Sequence, residues 1–486
     1  MKFIDQFKKI LSSSTSIAPL IYLRLVFGLF MIYHFVKYYK MGWFHNYYVK
    51  PEILFPYELF TWLPRFGAEV TTGLYLLMPI LCIFIILGFF YRASAIAFFV
   101  LNSYFFLLDK STYMNHYYLF VLLSLLMIFL PANKLFSFDT MFKRVDKQAF
   151  VPNWTIWLVR FQLALVYIFG GIAKLNADWF QGQPMHSWLA KKKHVMLIGP
   201  YVEEKWLAYF FSYGGVFMDL FIVPFLLWKK TRIPAFITVI LFHLMNSQLF
   251  NIGIFPWIMI ALTFLFLPTE YFRKVGAVFI PALKTDKEKE AEPLPKLGVS
   301  KLTYGLIGLY CFVQLALPFR HFLYPGDPSW TEEGHFFSWR MMLRDKNPNS
   351  NIRVIDPKTG KTLETIMMKD HLTTSQKNMA LRRPEMIQKF CKYVGEKIKK
   401  ENKYDDFEIR VKLMASLNGR QEQLLIDPNV DMATADYSWK SSSWIMPMKT
   451  PLYGSPPADV LPQKPTKNTA SNSNKTRRVV QQVYRK

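Results

Sequence analysis

The amino-acid sequence predicts a polytopic α-helical membrane bundle of eight or nine spans, followed by a mixed, strand-rich domain. Three observations carry this. Hydrophobic residues make up 52% of the 486 residues and aromatic ones 17%. Charged residues reach only 19%, below the roughly 25% usual for soluble globular proteins. The deficit is also uneven: long apolar runs fill the first 318 residues, and the remainder reads as an ordinary soluble domain with a tail.

A bilayer core needs about 20 apolar residues per helix. Apolar runs fall near residues 17–36, 68–90, 93–108, 117–131, 156–172, 206–228, 234–251, 254–269 and 302–318. The third, fourth and eighth are short for a full crossing. The opening stretch, with Arg24 inside its apolar run and no small-residue cleavage site, reads as a retained span rather than a signal peptide.

Charge sets the orientation. With the N-terminus inside and nine crossings, the inner segments 1–16, 91–92, 132–155, 229–233 and 272–301 hold 18 Lys and Arg. The outer loops 37–69, 109–116, 172–205 and 244–253 hold 10. The bias places the C-terminal part outside. The net charge of +25 follows from these flanks and from the soluble part. No basic recognition helix or zinc-finger spacing accompanies it, so no nucleic-acid partner is expected. Cys82, Cys311 and Cys391 form no CxxC pattern or disulfide framework.

Residues 1–318 are therefore expected to form the transmembrane domain, with a basic cytoplasmic connector at 273–301. Residues 319–454 are expected to form an extracytoplasmic α+β domain. Within it, NIRVIDPKTGKTLETI reads as two strands around Pro357–Gly360. FEIRVKLMASLNGRQEQLLID reads as a hairpin turning at Asn418-Gly419, and 374–400 has helical spacing. Residues 455–486, rich in Pro, Ser, Asn, Lys and Gln, read as a disordered basic tail.

Ionisable groups at membrane depth are costly and mark functional sites by default. Three clusters qualify: Asp109, Lys110, Asn115 and His116; Lys174, Asn176 and Asp178 after Gly170-Gly171; and His243, Asn246, Ser247 and Gln248. All fall at the outer face. Each also has a structural explanation. Lys174 at a helix end can lay its stem along apolar surface, the histidines can hydrogen-bond between helices, and Asp109-Lys110 can be an interfacial ion pair of little worth. The absence of HxxH or HExxH spacing argues against a metal site.

Six stretches in the same order resemble the vitamin K-dependent gamma-glutamyl carboxylase family. They are FLLDKSTYMNH (106–116), VYIFGGIAKLNADW (166–179), HLMNSQLFNIGIF (243–255), LPFRHFL (317–323), FFSWRMM (336–342) and SLNGRQEQLLIDPNVD (416–431). The resemblance implies an enzyme that oxidises reduced vitamin K with O2 to the epoxide. The base so generated removes a glutamate γ-proton, and CO2 adds to give γ-carboxyglutamate. The protein itself then needs only a mild base for the hydroquinone. Lys174, behind the apolar run 163–173, is placed for desolvation to favour its neutral amine and would be that base. Asn115 and His116 match the pair associated with quinone positioning and carboxylation. His243 matches a histidine of the quinone pocket, with Asn246 and Gln248 as further cofactor-binding candidates. The partners implied are a glutamate-containing protein or peptide and the surrounding membrane lipid.

The chain departs from the animal pattern at Thr331–His335, a region linked to the glutamate substrate, and the animal enzymes continue beyond its length. The short form suggests a bacterial homologue, with the active face in the periplasm and menaquinol as one candidate quinol, the natural one being left open; in an animal cell that face would be the endoplasmic reticulum lumen. Two alternatives stand beside the carboxylase: a quinol epoxidase or oxidase of the same family lacking peptide carboxylation, and a non-catalytic membrane binding or transport protein on the same scaffold.

Overall fold

A computed structural model describes residues 9–195, 198–283, 298–437 and 441–449. The apolar runs become helices α1 (Ala18–Lys40), α2 (Ala68–Leu87), α3 (Tyr91–Leu108), α4 (Asn115–Phe129), α5 (Trp154–Ala173), α6 (Lys205–Leu227), α7 (Arg232–Leu249), α8 (Phe255–Thr263), α9 (Thr269–Phe279) and α10 (Lys301–Ala316). Helical geometry satisfies the backbone of such segments internally, as lipid requires. Their outward faces stay apolar: Val70, Leu76, Ile80 and Ile83 on α2 and Leu302, Leu309 and Phe312 on α10 are exposed.

Every predicted apolar run is helical, but eight or nine crossings are not confirmed. Among the described residues six helices are long and apolar enough to cross, or seven if the α8–α9 pair, bent by 102°, is one span. The reason is geometric. With 15 residues, α4 extends about 22 Å at 1.5 Å per residue, short of a core of about 30 Å. The polar end of α7 lowers its hydropathy. Composition registers both as apolar without fixing whether they cross.

Two arginines inside the apolar part close the bundle end. Arg24 on α1 donates to the Ala132 carbonyl at 2.8 Å and to that of Phe136. Arg160 on α5 donates to Leu265 O at 2.7 Å and Leu267 O at 3.0 Å. Strand β1 (Ser14–Ser16) pairs antiparallel with β2 (Phe150–Pro152) beside them.

The C-terminal part carries a four-stranded antiparallel sheet, ordered β4-β3-β5-β6: β3 is Lys346–Ile355, β4 Thr362–Ile366, β5 Glu408–Leu417 and β6 Gln423–Leu424. The two expected hairpins are present, although β6 is only two residues long. Asn418 and Gly419 have φ of 53° and 81°, the left-handed pair that a tight hairpin turn demands. Period-2 alternation buries Ile409, Val411, Leu413, Ala415 and Leu417 of β5 against Met386, Phe390, Val394 and Ile398 of α12 (Pro384–Lys400). The preceding helix α11 (Thr374–Arg382) opens on a Thr373–Gln376 capping box. The tail expected over 455–486 and residues 284–297 of the connector lie outside the described residues.

Asp109 and Lys110 correct the expectation of an interfacial ion pair with each other. Asp109 accepts from the Ser111 N–H at 2.8 Å and from Gln376 Nε2 at 3.2 Å. Lys110 pairs with Glu58 at 2.8 Å and with Glu385 of α12. Both are fully buried, because the C-terminal part seats directly on this loop. At the other side of the same seam, Arg420 grips Asp178 through two bonds of 2.5 and 2.6 Å, and Asn418 Nδ2 adds a third at 2.8 Å. Lipid-facing spans and the sheet are thus joined by buried charge-assisted bonds.

Candidate active site

A cavity of about 920 Å³ opens between α4, α5, α6, α7 and α8 beneath the C-terminal part. Its wall is built where α5 and α6 approach most closely. A Cβ on Gly171 would stand 3.0 Å from the Leu220 backbone nitrogen, so only glycine permits this spacing. One residue earlier, a Cβ on Gly170 would lie 3.4 Å from Asp219 Oδ2 and 3.9 Å from Lys174 Nζ. Gly171 therefore makes room for the helix that faces α5, while a Cβ at residue 170 would be in ordinary contact with the Lys174–Asp219 pair.

Lys174 sits at the end of α5 and turns back over its last turn. Its Nζ donates to the Gly170 carbonyl at 3.1 Å and to Asp219 Oδ2 on α6 at 2.6 Å. Residue exposures are 7% for Lys174 and 6% for Asp219. The amine also lies 5.4 Å from the Trp179 ring centroid, whose indole is held by the Ser212 carbonyl at 2.7 Å. Burial of Lys174 was expected from the apolar run. The carboxylate opposite it was not.

His116 and His243 face the same cavity from α4 and α7, with the Phe255 ring between them at centroid distances of 5.8 and 6.2 Å. Nε2 of His243 contacts the Tyr167 hydroxyl at 3.0 Å, and its Nδ1 is buried with no partner among the described residues. Asn115 accepts from the Tyr113 hydroxyl at 3.0 Å and donates to the Arg340 carbonyl at 3.4 Å.

The mouth of the cavity is basic. His335, Arg340, Arg344, Lys346 and Arg383 line it. Burial, reinforced by Arg344, holds His335 well below the ordinary histidine value. Its neutral ring accepts from Arg344 Nη1 at 3.0 Å. Burial likewise pushes Lys346 down to about 8, against the opposing pull of Glu332. Glu332 answers part of this charge, 2.8 Å from Arg344 and 3.5 Å from Lys346. Nε of Arg340 and of Arg383 are buried without partners among the described residues. The segment over the mouth is strained: Glu332, Phe337, Trp339 and Met342 all have φ between 52° and 66°. Non-glycine residues in that region cost of order 1–3 kcal/mol each and gather at ligand sites.

The structure thus brings Asn115, His116, Lys174, His243 and Asn246 into the lining of one cavity. Gln248 is placed elsewhere, on the exposed face of α7 and away from the cavity. Asn176 and Asp178 serve structure, the first capping a short helix at Trp179 N with 3.0 Å. Sequence reading missed Asp219, Tyr167 and the mouth arginines. Asp219 was available by the same rule that flagged Lys174, since it is a lone acid inside the apolar run of α6.

The family model of the HTTM domain matches residues 13–271, more than half of the chain. The model of the vitamin K-dependent gamma-carboxylase lumenal domain matches residues 299–451. No solved structure matches the chain.

Proposed function

Because the chain belongs to the vitamin K-dependent gamma-carboxylase family, a multi-pass membrane family whose name implies vitamin K use, we propose that its cavity is the site where reduced vitamin K is oxidised by O2 and where a protein or peptide glutamate is carboxylated with CO2. The observation that carries this reading is the buried Lys174–Asp219 pair on the wall of a largely apolar cavity. Bound reduced vitamin K, reacting with oxygen, supplies the strong base that no side chain can provide.

The residues fit such a group. The lining offers aromatic and aliphatic surface with a few convergent polar atoms, as cofactor sites do, and the orphaned Nδ1 of His243 awaits a partner. Lys174 receives the hydroxyl proton. For this the lysine must be in its amine form; the proton it takes makes an ammonium that Asp219, 2.6 Å away, then neutralises, and the negative charge passes to the quinol oxygen. Asn115, fixed between Tyr113 and Arg340, orients the quinol, and His116 acts at the carboxylation step. Apolar walls exclude water that would quench base and carbanion. Arg340 and Arg383 offer free donors for a substrate carboxylate. In this reading the cavity faces the extracytoplasmic side, and the quinol enters from the membrane while the peptide enters beneath the C-terminal part.

One observation favours a second reading, quinol epoxidation without peptide carboxylation. Glu332, in the stretch that departs from the animal pattern, already occupies Arg344 and Lys346, as a resident stand-in for a substrate carboxylate. Purified protein given reduced vitamin K, labelled bicarbonate and a Glu-containing peptide separates the two. Label in the peptide together with epoxide supports the first reading. Epoxide without label supports the second, and neither product across several quinols overturns both.

A further inference from the structure

Three contacts run in series away from the cavity. His243 Nε2 lies 3.0 Å from the Tyr167 hydroxyl, that hydroxyl lies 3.2 Å from Thr263 Oγ1, and Thr263 Oγ1 lies 2.7 Å from the Met259 carbonyl one turn back in α8. His243 and Tyr167 are 3% exposed and Thr263 1%, so water does not complete this chain. Each contact needs one proton, and proton counting leaves a single solution. The Met259 carbonyl can only accept, so the Thr263 hydroxyl donates to it. Thr263 has then spent its proton, so Tyr167 donates to Thr263. Tyr167 has then spent its own, so the imidazole donates from Nε2 to Tyr167.

A neutral imidazole carries one N–H. With that hydrogen on Nε2, the nitrogen left over is Nδ1, the buried atom without a partner on a ring that lines the cavity. We propose that Thr263 and Tyr167 fix His243 as its Nε2–H tautomer, so that Nδ1 is a dedicated hydrogen-bond acceptor for a hydroxyl of the bound hydroquinone. This rests on the proposed quinol oxidation and adds a selectivity to it. A hydroquinone presents O–H donors to Nδ1, whereas the oxidised quinone presents only carbonyl oxygens, which an acceptor repels. The site therefore distinguishes reduced from oxidised quinone through a tautomer held by two positioning residues. Thr263 is not among the residues lining the cavity.

The test uses the full chain in lipid nanodiscs with 15N-labelled histidine, the His243 signals being assigned by their loss in His243→Gln. The wild type should show Nε2 protonated and Nδ1 bare. Thr263→Val keeps the shape of the side chain but removes the acceptor for the Tyr167 proton. Tyr167 then donates to Nε2, and the imidazole hydrogen moves to Nδ1. That variant should lose about tenfold in its preference for reduced vitamin K over the quinone, measured as KM against the quinone's inhibition constant, the worth of one hydrogen bond of about 1.4 kcal/mol. Thr263→Ser should restore both readouts. A wild-type ring with hydrogen on Nδ1, or a folded Thr263→Val with wild-type nitrogen signals and wild-type selectivity, overturns the proposal. The ring measurement needs no turnover. A chain that oxidises no quinol would therefore sink the enzymatic reading while the tautomer is still decided on its own signals.

Discussion

Lys174 Nζ stands 2.6 Å from Asp219 Oδ2, across two helices that can approach so closely only because residue 171 is glycine. Removing Lys174 alone leaves a buried carboxylate unmatched, which costs about 3–5 kcal/mol and confuses folding with chemistry. Removing both charges does not. Lys174→Met with Asp219→Asn should fold near wild-type stability, yet lose quinol oxidation by about 10²–10⁴-fold, the range for a lost general base. The two single variants should be strongly non-additive, since both disable one unit. Thermal unfolding alongside initial rates checks the two halves separately.

Gly171→Ala should act through packing alone. Its Cβ would stand 3.0 Å from the Leu220 nitrogen and 2.8 Å from Leu220 Cγ. Backbone cannot yield as a side-chain tip can, so α5 and α6 must separate, at about 1–3 kcal/mol. Gly170→Ala meets the flexible Met341 Cε first, at 3.3 Å, and should cost less. A lower unfolding temperature for the first variant than for the second is the expected order. The reverse order would mean that the helices are not held at this spacing.

Asp109 should make the seam between membrane and sheet sensitive to acid in an unusual direction. Burial raises its carboxyl to about 6, and the bonds from Ser111 and Gln376 offset only part of that rise. The unfolded value is about 3.9. Between these values the folded chain binds more protons than the unfolded one, so this group's contribution to stability falls as pH rises from about 4 to about 6. Asp109→Asn removes that slope while an amide oxygen still accepts from Ser111. The difference in unfolding temperature between wild type and variant should therefore move in favour of the variant across that window, and a flat difference would contradict it.

Much of the fold and of the candidate site's lining was legible in the sequence, for physical reasons. Bilayer thickness forces long apolar runs, so every predicted run appeared as a helix, although only six or seven of the described helices are long and apolar enough to cross. The left-handed turn at Asn418-Gly419 announced the hairpin, and the cost of charge in lipid pointed to Lys174, His116 and His243. The missed parts are those that depend on who meets whom in three dimensions. Tyr167 looks like any aromatic of an apolar helix until the fold sets it 3.0 Å from His243. Asp109 and Lys110 are adjacent and opposite in charge, which suggests a pair, yet each turns to the C-terminal part instead. The shortness of α4, by contrast, was already visible in the length of its run over 117–131.

The central claim is that Lys174, matched by Asp219, is the base of a quinol-oxidising site. Its most direct test is epoxide formation from reduced vitamin K under oxygen, with menaquinol in parallel, by the purified wild type and by the Lys174→Met, Asp219→Asn double variant in the same lipid. The account predicts epoxide from the wild type and none above background from the folded double variant. Equal epoxide from both, or none from the wild type with either quinol, would contradict it.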